Sequence, residues 1–439
     1  MPIASSLSSR KRRVTKTPNH RHGWNIIAVN GDAKTRGFMH GSILANELKR
    51  LVEVFPAEIK RLHHISMDEY IDICNKAAKT VFDKECAEWR EELEGMVAGA
   101  LSKGVVVSVD FLFGWNMYLS IDAHLVENRK KNNQRCCAFI ATGDATKDGQ
   151  IVMAHNTHCD FVFAQFYNVV QYTKPARGSA FIMQTGPGLL CSNVDWFLCE
   201  SGIVGCETTI ADIQYLPRFG KPYFCRIREC MQYAKHLDDC ERIMREDNAG
   251  DYPCAWLLGD LNTNEIMMLE VAKTVSSRRT TSGVFYGANF AHDVNIRERE
   301  TDNDASFRLE TSSIRRRGER LDWLLNKVHW GNLDSNTAKQ IISDHYDTHK
   351  QRVCKGTRSI CKHGEMHRSS RRKSGDLYGA VDGKVVTAKM AKSLSFFGRW
   401  GSSCGRVFTA TKTMKRRTPY LPSFQNEPWT LLEYSRIDD

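Results

Sequence analysis

The chain has 439 residues, a formal charge of +11, 41% apolar residues and 26% charged ones. That balance excludes global disorder, and no run of eighteen apolar residues offers a membrane-spanning helix. A chain this long folds without disulfides, and its fifteen cysteines cannot all pair, so they read as mostly buried thiols of an intracellular, cytoplasmic protein.

Residues 1–22 are rich in Ser, Arg and Lys, lack the apolar core of a secretory signal, and read as a disordered basic tail. The later basic runs, Ser313–Arg320 and His349–Lys373, lack the interleaved aromatics on which bases stack. They read as solvated loops, and no nucleic-acid partner is expected.

Gly23–Gly31 alternates apolar residues and ends in Asn-Gly, a strand and turn. Leu44, Leu48, Leu51 and Val52 recur at helical spacing, which starts a helix near Ser42, and Pro56 is expected to interrupt it. Ser66 and Glu69 form a capping box for the next helix, and residues 40–130 read as largely helical. From Cys136 the texture turns to short apolar, β-branched segments separated by turn residues. Helical patterns return at Arg315–Val328 and Asn336–Tyr346, and the closing strands are Ala380–Ala391, Ser393–Trp400 and Gly405–Thr413. The organisation is a tail over 1–22, a mainly helical segment over 23–135, and a core over 136–439 with a helical insertion around 311–346. This order predicts an α+β protein with two stacked sheets covered by helices.

The chemistry concentrates in Arg135–Asp160, "RCCAFIATGDATKDGQIVMAHNTHCD". Successive strand residues face opposite ways, so Cys136 and Cys137 cannot serve one site together. The turn at Gly143–Gly149 returns the second strand alongside, bringing His155 and Asn156 near the two thiols. A free thiol titrates near ~8.5 and needs activation before it can act as a nucleophile.

This hairpin resembles the active-site hairpin of the N-terminal-nucleophile hydrolases related to isopenicillin-N acyltransferase, and is similar to that of the phospholipase B-like proteins. Further likenesses run in order from about Gly23 to Lys415: "GWNIIAVNGDAKTRGFMHGSILANEL", "GIVGCETTI", "GANFAHD", "TRSICKH", "DGKVVTAKMA" and "FFGRWGSSCG". The resemblance implies a four-layer αββα sandwich and a nucleophile exposed by cleavage of the chain before it. Cys136 takes the nucleophile position. Cys137 stands where the family has Ser or Thr, and remains a fallback nucleophile. Arg135 departs from the small or acidic residue relatives have before the cut. By the same resemblance Asn289 supplies an oxyanion donor; a backbone N–H near the hairpin, His155 and Asn156 are candidates for another. Asp160 orients the new α-amine, and Arg358 pairs with Asp160 or a substrate carboxylate.

The freed amine titrates near ~7.7–8.0 and can take the thiol proton. The thiolate attacks an amide or ester carbonyl of a small acyl substrate, and water or an amine resolves the acyl-enzyme. No cofactor is expected. The cleavage products would form a heterodimer. One alternative is a single-chain thiol enzyme with His155 as base. Another is a non-catalytic zinc-containing interaction protein: Cys354, Cys361, His363 and His367 crowd one basic segment, at a spacing unlike usual zinc fingers. No metal ligand is assigned on that spacing.

Overall fold

The computed structural model describes residues 17–121, 124–125, 136–218, 220–248, 250–366 and 377–433. Most of the basic tail, Arg135, His367 and residues 368–376 lie outside the described residues.

The N-terminal segment forms strands β1 (Asn19–Arg21) and β2 (Trp24–Gly31), then helices α1 (Ala33–Ile43), α2 (Ala45–His63), α3 (Met67–Cys74), α4 (Thr80–Glu85), α5 (Ala87–Leu101) and α6 (Val109–Ile121). Helix begins nine residues earlier than the apolar spacing indicates. Asp32 caps α1 by accepting from the Thr35 N–H at 2.8 Å. The small residues of α1 hid it, and they are there because α5 crosses it closely. A Cβ on Gly41 would lie 2.0 Å from the Met96 carbonyl oxygen. Pro56 does not interrupt α2, which runs unbroken through it. Burial of Leu48, Leu51, Phe55 and Ile59 along one stripe outweighs the lost hydrogen bond. Ser66 caps α3 by accepting from the Glu69 N–H.

Among the described residues sixteen further strands or strand pieces follow from Cys136. The first are β3 (Cys136–Thr142), β4 (Val152–Asp160), β5 (Val169–Pro175), β6 (Phe181–Thr185), β7 (Trp196–Cys199) and β8 (Ile203–Thr209). Then come β9 (Cys254–Asp260), β10 (Glu265–Val271), β11 (Val275–Thr280) and β12 (Gly283–Gly287). Past the short hairpin β13 (Tyr346–Asp347) and β14 (Arg352–Val353), the chain adds β15 (Tyr378–Ala380), β16 (Asp382–Thr387), β17 (Ser395–Trp400) and β18 (Thr430–Glu433). Two helices not anticipated in the strand-rich part fall between β8 and β9, Tyr223–Tyr233 and Leu237–Arg245, the second burying Leu237, Cys240, Ile243 and Met244 at helical spacing. The strand expected at Gly405–Thr413 is reduced to an isolated bridge between Phe408 and Phe424, and β18 takes the edge instead.

The chain is thus mixed α and β with several sheets. One sheet has nine strands in the order β1-β2-β5-β6-β7-β8-β9-β10-β11; the other has β12-β3-β4-β16-β17-β18, with β15 pairing β4. All neighbours are antiparallel except β2 and β5, joined in parallel across the helical segment. Strands β8, β9 and β10 pack against β12, β3 and β4. The approach is close: a Cβ on Gly287 would lie 2.1 Å from the Thr208 hydroxyl. On the far side of the second sheet, the helices Ser313–Trp323 (called here the arginine helix) and Ser335–Ile342 cover β12, β4 and β16. Their Ile314, Leu321, Ile341 and Ile342 form a core with Cys137, Phe139 and Val385. Among the described residues no helix is long and apolar enough to cross a membrane.

Candidate active site

The register of the β3–β4 hairpin decides which side chains meet. Cys136 stands opposite Thr157, Cys137 opposite Asn156, and Ala138 opposite His155. Opposed residues share a face, and faces alternate along each strand. Cys136, Thr157 and His155 therefore look inward, between the sheets. Cys137 and Asn156 look outward, toward the arginine helix and its neighbour.

On the inner face, the Cys136 sulfur, a ring nitrogen of His155 and a carboxylate oxygen of Asp195 all lie within 4.8 Å of one another. Asp195 sits in the turn before β7 with a left-handed backbone (φ 60°) and is buried. Cys136, Thr157, His158, Asp160, Asp195, Tyr252 and Tyr378 border a cavity of ≈ 80 Å³. That volume takes an acyl group of a few atoms. A roomier cavity of ≈ 480 Å³ is lined by Glu365, Met366, Phe408 and Met414 among others, but among the described residues no thiol or imidazole borders it. The smaller one, bordered by a thiol and an imidazole, is the candidate site.

Behind the trio lies a buried polar network. The Lys384 ammonium donates to the Thr157 hydroxyl (2.9 Å), the Val194 carbonyl (3.1 Å) and the Asp382 carboxylate (3.2 Å). Asp382 also accepts from the Thr157 N–H and the Gln184 amide. Such groups are costly between two sheets and collect where chemistry needs them. Lys384 also disfavours a dication on the neighbouring Cys136, His155 and Asp195.

Burial pushes the Cys136 thiol well above its ordinary value, with Asp195 and Glu207 adding to the rise; Lys384 and the His158 backbone N–H oppose it. Burial also drives the His155 imidazole well below its usual value, helped by Lys384. At neutral pH the pair is thiol and neutral imidazole. His155 Nε2 stands 2.9 Å from the Glu207 carbonyl, which assigns the ring proton to Nε2. Nδ1 then keeps a lone pair, and it has no hydrogen-bond partner among the described residues.

Asn289 lies just beyond β12 with φ 72°. Its Oδ1 accepts from the Cys136 N–H (3.4 Å) and from Arg317 (3.0 Å), and its Nδ2 donates to the Thr209 carbonyl (2.9 Å). It thus turns an acceptor, not a donor, toward Cys136. Asn156 works on the other face. It accepts from the Cys137 N–H at 3.1 Å and donates to the Ile342 and Ile360 carbonyls. Asp160 borders the cavity and caps a short helix by accepting from the Val162 N–H at 2.7 Å. Arg358 pairs with Asp347 at 2.9 Å, and neither residue lines the cavity.

Four residues around the candidate site escaped the sequence reading. Arg317 is fully buried and donates to the Cys136 carbonyl (2.9 Å), the Cys137 sulfur (3.1 Å) and Asn289. Its signal was present: with Ile314 and Leu321 it follows the i, i+3, i+7 apolar spacing of a helix face, so it belongs inside rather than among solvated charges. Lys384 and Asp382 stand two apart on a strand, a spacing that reads as a solvent face unless both faces are covered. Asp195 had no local signal.

No protein-family model matches the chain. An uncharacterized protein of Archaeoglobus fulgidus is 24% identical over 257 residues, 54% of this chain and 42% of that protein. The chain thus spans about two-fifths of the length of the curated relative it matches. Among solved structures, a mutant conjugated bile acid hydrolase from Clostridium perfringens is similar over 68% of this chain and 96% of its own, at 8% identity and a TM-score of 0.35. Another variant of that hydrolase aligns with a TM-score of 0.33, again at 8% identity.

Proposed function

We propose that this protein is a cysteine-nucleophile hydrolase or acyltransferase acting on a small acyl amide or ester, with Cys136 as nucleophile. The observation that carries the reading is the meeting of the Cys136 sulfur, His155 and Asp195 on the inner face, with Cys136 and Asp195 lining a cavity. The four-layer αββα arrangement implied by the hairpin's resemblance is supported by helices on the outer faces and sheet-to-sheet contact within.

In the autoprocessing form of the reading, the chain is cut before Cys136. The amide N–H that Asn289 accepts becomes an amine, and Asn289 orients it. The amine takes the thiol proton, the thiolate adds to the acyl carbonyl, and the amine or alcohol leaves with a proton. The resulting thioester passes its acyl group to water or to an amine. The His158 N–H that faces the sulfur favours the thiolate over the thiol.

The His155 Nδ1 lone pair favours a second form, in which the chain stays whole and His155 accepts the thiol proton directly. Intact-mass and N-terminal analysis of the purified protein separates the two. A fragment beginning at Cys136 supports autoprocessing, and a full-length active chain supports the single-chain enzyme. A Cys136→Ala protein that still processes and turns over acyl substrates defeats both.

A further inference from the structure

A second cluster lies outside the catalytic face. His345 follows the helix Ser335–Ile342, Cys361 and His363 sit in the loop before β15, and Cys404 sits in the turn after β17. One ligand atom from each lies within 4.8 Å of all the others. The His363 Nε2 is 3.5 Å from the Cys361 sulfur, 3.4 Å from the Cys404 sulfur and 3.1 Å from the His345 Nε2.

These spacings have a direct meaning. Zinc holds sulfur at about 2.3 Å and imidazole nitrogen at about 2.0–2.1 Å in a tetrahedron. Ligand atoms on such a tetrahedron stand about 3.5 Å apart for sulfur and nitrogen and about 3.3 Å apart for two nitrogens. The observed separations fit both. The second ring nitrogen of His363, Nδ1, meets the Glu365 carboxylate at 2.8 Å, the outer partner that fixes a metal-binding imidazole.

We infer that His345, Cys361, His363 and Cys404 form a closed, structural zinc site. Four protein ligands leave no open position, so the ion is structural and not catalytic. The site would tie three separate pieces of chain to one point. Its neighbours explain why that point matters. The Ile360 carbonyl accepts from Asn156 and bonds His158 Nε2 at 3.0 Å, and the Ser403 hydroxyl donates to the Ile342 carbonyl. The ion would thus brace the hairpin carrying Cys136 from its outer side. Only two of the four ligands belong to the cysteine and histidine group crowded in sequence. Cys354 stands apart against Lys350, and the other two ligands come from 16 residues earlier and 41 later than their partners Cys361 and His363.

This inference stands independently of the hydrolase reading. The test is elemental analysis of the full-length protein purified without chelators, followed by cobalt(II) titration of chelator-stripped protein. One zinc per chain and thiolate-to-cobalt charge-transfer absorption are expected. Cys404→Ser and His345→Ala should lose the metal, Cys354→Ser should retain it, and Glu365→Gln should weaken binding roughly 10–100-fold. Metal-free wild-type protein that takes up no cobalt, a Cys361–Cys404 disulfide in its place, or loss of metal with Cys354→Ser and not with Cys404→Ser would each overturn the assignment. Cobalt titration of the wild type keeps the test decisive if a ligand variant fails to fold.

Discussion

Replacing Lys384 with methionine is the perturbation whose size follows most directly from the structure. Lys384 and Asp382 are both fully buried, with 3.2 Å between ammonium and carboxylate. At an effective dielectric of ~20, that separation corresponds to about 5 kcal/mol of attraction. Methionine fills nearly the same volume but leaves Asp382 charged, held only by the Thr157 N–H and the Gln184 amide. Breaking one side of a buried pair costs about 3–5 kcal/mol. At about 2.1 cal/mol/K per residue, unfolding this chain carries an entropy near 0.9 kcal/mol/K, so Tm should fall by about 3–5 °C. The Lys384→Met/Asp382→Asn double variant should recover part of that loss, because no uncompensated carboxylate remains. Thermal unfolding followed by circular dichroism at pH 7 reads both. A single variant within about 1 °C of wild type, or a double variant less stable than the single one, would refute the reasoning.

Stability should fall on acidification. His40 donates from Nδ1 to Gln171 (2.8 Å) and accepts the Gly188 N–H at Nε2 (2.8 Å), so its neutral form is locked, and burial holds it down at about 4. The unfolded chain therefore binds the proton first: stability is intact above pH ~6.5 and falls by about 3 kcal/mol toward pH 4 from this group alone. Burial displaces His155 and His158 in the same direction. Urea unfolding at pH 7, 6 and 5 checks this, and a flat profile contradicts it. Gly41→Ala should lower Tm by about 1–3 °C, since its Cβ would meet the Met96 backbone where α1 crosses α5. Arg358→Ala should leave the acyl-transfer rate unchanged, whereas Arg317→Met, which strips contacts from Cys136 and Asn289, should lower it at least about tenfold. Steady-state rates on an activated ester separate these two.

The strands were legible because apolar alternation and turn residues act locally. The β3–β4 hairpin could be read, and so could the opposite facing of its two thiols; which of them looks inward is decided by how the two sheets pack. The crossing of α1 and α5 was not, because its cue is the spacing of glycines rather than apolar residues. Site residues brought in by distant elements escaped for a related reason. Asp195 depends on a turn before β7, Lys384 on a strand covered on both faces, and Arg317 on a helix whose charges mask its buried stripe. The metal-type cluster shows the same principle: its ligands meet only because β17 and the loop before β15 converge. Expected roles also moved. Asn156 serves the outer face, and Arg358 is spent on Asp347.

The most direct measurement is to trap the acyl-enzyme. The protein is mixed with a short activated ester, quenched in acid, digested and mapped by mass spectrometry. The account predicts one acyl group per chain, as a thioester on Cys136, retained in Cys137→Ala and absent in Cys136→Ala. An acyl group on Cys137 or elsewhere, with Cys136 unmodified, would contradict it.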